Sequence, residues 1–115
     1  MPETIKCRGG ALLHNWIQHK WSEGLQVGSV PDFTKIVVQT RNTTYELTVI
    51  DSGAREILIR GGRFFPALTE ARLTGSSLGG SFLKVGGIYT GFNMEVLAAG
   101  TTVVTTPVKS IQICS

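Results

Sequence analysis

The stretch from Thr34 to Arg60, TKIVVQTRNTTYELTVIDSGAREILIR, decides the fold class of this chain. It is rich in β-branched residues, and from 44 to 50 one face is Tyr, Leu and Val while the other carries Glu, Thr and Ile, as in a strand that buries one face. Residues 51–54, Asp-Ser-Gly-Ala, are typical of a turn, because Asp caps turns and Gly accepts positive φ. We therefore predict strands at 35–39, 44–50 and 55–60, with the last two forming a hairpin.

The C-terminal half continues this pattern with further short strands. We predict strands at 69–74, 87–97 and 102–113, the last two joined by a turn at 98–101. Glycines between positions 75 and 91 indicate bulges and tight bends, which curl a sheet. Pro107 cannot donate to a ladder, so the final strand is an edge or is bulged there. The sequence predicts a mostly β fold over residues 34–113, a small antiparallel barrel or strongly bent sheet of about six strands.

The N-terminal region has a different periodicity. Residues 1–10 are predicted to be a flexible lead. From Ala11 to Trp21 apolar residues recur at three- and four-residue spacings, which predicts one amphipathic helix of about three turns. A lone helix of this length is marginal in water, so it must dock either on the rest of its own chain or on a neighbouring one. The residues proposed for self-association are Leu13, Trp16, Ile17 and Trp21.

Length and composition predict one domain over residues 1–115. With 42% hydrophobic and 17% charged residues, the chain is richer in apolar residues than an average soluble protein, so we expect a homo-oligomer that buries the surplus. The formal net charge is +3, but the basic residues are scattered along the sequence. We therefore do not expect a nucleic-acid partner.

Compartment and redox state follow from the termini and the cysteines. No segment has the length of a signal peptide core or of a membrane span, so we expect a cytoplasmic protein with no membrane partner. Cys7 and Cys114 lie near opposite ends, and we expect free thiols in a reducing cytosol.

No motif predicts catalysis or a cofactor. Gly75-Ser76-Ser77-Leu78-Gly79 matches the G-x-S-x-G nucleophile elbow, but it lacks a following helix and a later histidine. His14 and His19 are five residues apart, which does not place them on one helix face as metal ligands. The carboxylates are dispersed. We predict no catalytic residue, no metal and no cofactor.

Two patterns are compatible with ligand binding, and each has a structural alternative. Successive amides in the Gly-rich stretch 76–80 can hold a phosphate, assisted by nearby arginines. The candidate ligand residues are Arg60, Arg63, Ser76, Ser77, Gly79 and Gly80. The alternative is that these glycines only curve the sheet. Arg63-Phe64-Phe65 is the one local combination of basic and aromatic residues, as found in single-strand binders. The alternative is that these rings pack in the core.

Three stretches carry a resemblance to known proteins: Thr40–Thr43, Arg60–Pro66 and Gly75–Gly80. Through them, residues 40–113 resemble short bacterial proteins of unassigned function, a resemblance that implies no mechanism.

A weaker likeness is to PilZ domains, small bacterial β barrels that bind a cyclic dinucleotide. Ser77 and Gly80 match the Ser and Gly of their Asp/Asn-x-Ser-x-x-Gly motif, while Gly75 stands in place of the Asp or Asn and the Arg-x-x-x-Arg arm is absent. The sequence thus predicts a non-enzymatic small β-barrel module for binding or self-assembly, with an unidentified ligand. The alternative is a PilZ-like module that binds nucleotide or RNA phosphate.

Overall fold

The computed structural model of the chain describes residues 24–78 and 83–114. These residues form nine strands, which confirms the prediction of a mostly β fold. The strands are β1 (Leu25–Gln26), β2 (Lys35–Thr40), β3 (Thr44–Asp51), β4 (Glu56–Gly61), β5 (Phe65–Ser77), β6 (Leu83–Val85), β7 (Gly87–Ile88), β8 (Asn93–Ala98) and β9 (Thr101–Cys114). Within the described part, the single helical element is a 3₁₀ turn at Val27–Ser29. The predicted lead 1–10 and helix 11–21 lie outside the described residues.

Six of these strands pair in a closed antiparallel ring. Their order is β4-β3-β2-β9-β8-β5, and β5 also pairs with β4, so each of the six has two neighbours. The remaining strand of this sheet, β6, extends the pairing of β5 beyond the end of β4. Closure removes most of the open edges that a flat sheet of this size would expose.

The long strand β9 changes neighbours at Pro107. Residues 101–107 pair with β8, and residues 108–114 pair with β2. The register of both ladders shifts beside Pro107, which confirms the predicted bulge. Thr105 stabilises the irregular backbone, since its Oγ1 accepts a hydrogen bond from Met94 N at 3.1 Å and donates one to Thr106 O at 2.7 Å.

The core lies inside the ring and follows the strand alternation. In β3 the buried residues are Tyr45, Leu47 and Val49, as the period-two pattern predicts. Buried side chains from the other strands complete this core: Ile36, Val38, Ile57, Ile59, Phe65, Leu73, Met94, Val96, Val103, Val108, Ile111 and Ile113. Their contiguous burial supplies the main driving force for folding.

A second small sheet closes one end of the ring. β1 pairs with β7, and Val27 N donates to Gly86 O at 2.9 Å. Ser76 ties this sheet to β5, because its Oγ donates to Gly87 O at 2.9 Å and accepts from Tyr89 N at 3.1 Å. The predicted single strand 87–97 is wrong: a turn at Gly91, which has φ +86°, separates β7 from β8. The predicted strand 69–74 is part of the longer β5.

The C-terminal end of β9 corrects the prediction of free thiols. Cys114 is buried and disulfide-bonded, and Cys7, the only other cysteine in the sequence, lies outside the described residues. The prediction relied on the number and spacing of cysteines, which do not report which residues meet in space.

Candidate functional site

A cavity of about 490 Å³ lies between the β2–β3 turn, the β4–β5 turn and the first half of β9. We call it the turn cavity. Its volume falls within the range of small-molecule sites. The residues that line it are Asn42, Thr43, Tyr45, Arg63, Phe64, Val104, Thr105 and Thr106.

The β4–β5 turn brings Arg63 and Phe64 to the cavity because two glycines precede them. Gly61 has φ +149°, and a Cβ there would lie 2.5 Å from Thr44 O. Only glycine therefore allows β4 to come so close to β3 at this point. Phe64 is 58% exposed, whereas Phe65 is 2% exposed, since successive side chains of an extended segment point to opposite faces. One ring faces solvent and its neighbour packs in the core.

The β2–β3 turn is braced by three local hydrogen bonds. Thr40 N and Thr40 Oγ1 donate to Thr43 O at 2.8 and 3.1 Å, and Thr43 N donates to Thr40 Oγ1 at 3.2 Å. A side chain that bonds its own turn in this way restricts the backbone. The backbone of the turn that carries Asn42 and Thr43 is thus restrained before any ligand arrives.

Tyr45 forms the buried side of the cavity. Its ring packs edge-to-face on Phe65, with centroids 6.4 Å apart. Burial raises the pKa of the Tyr45 phenol, and a hydrogen bond with the Thr43 side chain partly opposes this rise. The hydroxyl therefore stays protonated near neutral pH.

The electrostatic character of the turn cavity comes from Arg63, the one charged residue in its lining. Arg41 is exposed on the neighbouring turn. Arg60 points to the outer surface, where its Nη2 lies 2.6 Å from Glu46 Oε1, so a carboxylate already offsets its charge. The cavity combines a cation, an exposed aromatic ring and hydroxyl and amide groups.

The structure separates the ligand residues that the sequence proposed together. Arg63 lines the turn cavity, and Arg60 lies just before it on the outer face. Ser76 and Ser77 lie at the other end of β5, and 12 residue steps of extended chain span about 40 Å. Gly79 and Gly80 lie outside the described residues. The self-association residues Leu13, Trp16, Ile17 and Trp21 also lie outside them.

The two adjacent serines have different environments. Ser76 is fully buried and uses its hydroxyl in the two hydrogen bonds that hold β7. Ser77 is 1% exposed, and its Oγ has no hydrogen-bond partner. Ser76 is therefore committed to the fold, while the hydroxyl of Ser77 is an unsatisfied buried group.

Sequence reasoning found Arg63 but missed the polar residues around it. Asn42, Thr43 and Thr106 have no local signature of binding. The stretches 40–43 and 60–66, which are far apart in sequence, both contribute residues to this one cavity.

A second cavity, of about 510 Å³, lies on the outer face between β4, β5 and the β8–β9 turn. Its charged residues are Glu56, Glu70 and Arg72, and Leu58 and Leu97 contribute apolar surface. Charges of both signs partly cancel there. The turn cavity, with a single sign of charge, is the better candidate for a ligand site.

Within residues 24–78 and 83–114, no three His, Cys, Asp or Glu side chains group as metal ligands. The same residues contain no helix of the length and apolarity needed to cross a membrane. Comparison with known proteins finds no match to a protein family, to a curated protein or to a solved structure.

Proposed function

We propose that the protein is a non-enzymatic binding module and that the turn cavity is its ligand site. The observation that carries this proposal is that Arg63 and the exposed ring of Phe64 line the same cavity, beside a β2–β3 turn that is already braced. Because polar side chains line much of the cavity, the site favours a small polar ligand over a purely apolar one.

The chemistry of the lining favours an anion with a planar face, such as a nucleotide. The Arg63 guanidinium can donate two parallel hydrogen bonds to a phosphate or carboxylate. An exposed aromatic ring stacks on a base with little sequence preference. The side chains of Asn42 and Thr106 can donate hydrogen bonds to the rest of the ligand or accept them from it.

The test is a titration followed by amide chemical shifts of the ¹⁵N-labelled full chain. The probes are a nucleoside monophosphate, the matching neutral nucleoside and inorganic phosphate. We expect the monophosphate to shift the amides of Asn42, Arg63 and Phe64 most, and each half-ligand to bind more weakly. Arg63→Gln should weaken binding of the monophosphate about ten- to a hundredfold, the effect of losing about 1.5–3 kcal/mol of charged hydrogen bonding.

The matched control is Arg72→Gln, which removes an exposed arginine at the second cavity and should leave binding unchanged. Shifts clustered away from the two turns, equal binding by the Arg63→Gln variant, or no shift with any probe would reject the proposal.

The PilZ-like alternative makes a different prediction, for a titration with a cyclic dinucleotide. It stays a prediction: the Ser77 hydroxyl is buried without a hydrogen-bond partner, and Gly80 lies outside the described residues. Under this alternative, Ser77→Ala abolishes binding of a cyclic dinucleotide and Arg63→Gln has little effect.

Self-assembly and cytoplasmic localisation stay predictions. A homo-oligomer would give a solution mass that is a multiple of the chain mass by light scattering. The disulfide at Cys114 weighs against a reducing cytosol, because such bonds persist mainly in oxidising compartments. Fractionation of the source cells, with the thiol state of Cys114 trapped at lysis, tests the localisation.

A further inference from the structure

The first half of β9 has one paired edge and one open edge. Residues 101–107 pair with β8, whereas the pairing of β9 with β2 begins only at Val108. Beyond the end of β2, the second edge of β9 therefore has no neighbouring strand. An edge of this kind presents main-chain donors and acceptors that another strand can bond.

The β8–β9 turn fixes which residues face the open edge. Residues 99 and 100 have φ +51° and +77°, the two positive values of a type I′ turn, so the flanking Ala98 and Thr101 are a hydrogen-bonded pair. Successive residues of a strand direct their N–H and C=O groups to opposite edges. Thr101 and the second residue after it thus bond to β8, and Thr102 and Val104 face the open edge.

The main-chain groups of Thr102 and Val104 have no partner at this edge. Over residues 24–78 and 83–114, the backbone hydrogen bonds outside the strand ladders include none to either residue. Thr102 is exposed, and Val104 is 47% exposed. Each of the two residues therefore has a donor and an acceptor that are left to solvent.

This edge also lacks the features that usually prevent strands from pairing. Residues 101–106 read Thr-Thr-Val-Val-Thr-Thr, with no charge and no proline, and β-branched residues favour extended strands. The edge of β5 before Arg72, which β8 does not reach, is different. It carries Pro66, and its register with β4 shifts there, so that edge is protected and the edge of β9 is not.

We propose that a second copy of the chain pairs with this edge, β9 against β9, in antiparallel orientation about a two-fold axis at Val103. This register places Thr102 opposite Val104 of the second copy, and Val104 opposite Thr102 of that copy. Four hydrogen bonds then satisfy every outward main-chain donor and acceptor of these residues in both copies. A second copy fits because the two-fold axis brings the same two outward residues together at matching spacing, and the exposed Val104 side chain gains a cross-strand neighbour.

Thr102→Pro tests this pairing, and Thr102→Ala is its matched control. Proline removes the N–H that faces the second copy but no bond of the ladder with β8, whereas alanine removes the same side chain and keeps that N–H. Thr102 does not line the turn cavity, so the result is separate from the ligand titration. Far-UV circular dichroism verifies that both variants fold.

Sedimentation equilibrium of the full chain gives the solution mass over a range of concentrations. A single strand pairing is a small interface, so the series extends to about 1 mM. We expect the unmodified chain and Thr102→Ala to approach twice the chain mass. Thr102→Pro should raise the dissociation constant of the dimer about tenfold or more, since two of the four hydrogen bonds are lost.

Amide hydrogen exchange of the unmodified chain locates the contact. The amides of Thr102 and Val104 should exchange slowly at high concentration and rapidly on dilution, while that of Val103, which bonds to β8, stays slow at both. A monomer at the highest concentration, or a dimer that Thr102→Pro leaves intact, would overturn the proposal. So would slow exchange of Thr102 and Val104 in the monomer, since another part of the same chain would then cover the edge.

Discussion

The neighbouring serines at the end of β5 allow one substitution to serve as the control for the other. Ser76→Ala removes a buried hydroxyl that makes two hydrogen bonds, one donated to Gly87 O and one accepted from Tyr89 N. Each such bond contributes about 0.5–1.5 kcal/mol net, and the stranded Tyr89 N–H adds a desolvation cost. We expect the free energy of unfolding to fall by about 2–3 kcal/mol.

Ser77→Ala removes an oxygen of the same size from the next residue. That oxygen is buried and has no hydrogen-bond partner, so the native state already carries its desolvation cost. Removing it should leave stability unchanged or raise it by about 1 kcal/mol.

The assay is urea and thermal unfolding of the three proteins, followed by far-UV circular dichroism. For a domain of this size a loss of 2–3 kcal/mol lowers the Tm by roughly 8–12 °C, and the urea m-value should not change. The reasoning is refuted if Ser76→Ala melts with the unmodified protein, or if Ser77→Ala loses as much stability as Ser76→Ala.

Three further predictions concern backbone strain, alkaline stability and the disulfide. Gly75→Ala should prevent folding or cost several kcal/mol, since its Cβ would lie 2.2 Å from Lys84 O. Gly100 also has a positive φ but has open space around it. Gly100→Ala should therefore cost only about 1 kcal/mol of unfolding free energy in a urea titration. Burial raises the folded-state pKa of Tyr45. The contribution of Tyr45 to stability is therefore complete below the unfolded pKa of about 10 and declines as the pH rises above that value. Tyr45→Phe should flatten this decline in Tm, and an identical decline in the variant would contradict the role given to Tyr45. Reduction of the bond at Cys114 should lower the Tm by the equivalent of about 2–4 kcal/mol, and equal Tm values with and without dithiothreitol would show that the bond is absent.

Local sequence pattern predicted most strands but not the shortest ones. The alternation in β3 and the turn before β4 were readable because period-two burial spans several residues there. β1, β6 and β7 have two or three residues each, too few to show any period. The split of 87–97 into two strands depends on a turn at Gly91 that a Gly-rich stretch does not distinguish from a bulge.

The sequence allowed one residue of the candidate site, Arg63, to be predicted. It did not show which other residues lie beside it. The motif Arg63-Phe64-Phe65 was compatible with binding or with core packing, and alternation implies that the two rings face opposite ways. That Phe64 is the exposed ring, and that Asn42 and Thr106 join it, follows from two turns and a bulged strand coming together. Arg63 and Ser77, which the sequence grouped in one site, are separated by the length of β5.

By itself the sequence determined that this chain forms antiparallel strands with an inward apolar face, because that alternation is set residue by residue. Only the tertiary structure decided that β4 pairs with β5 to close the ring, which serine keeps its hydroxyl satisfied, and where a cavity forms. These features depend on the register between strands far apart in sequence, and the free energy of such pairings comes from burial summed over the whole core rather than from any local segment.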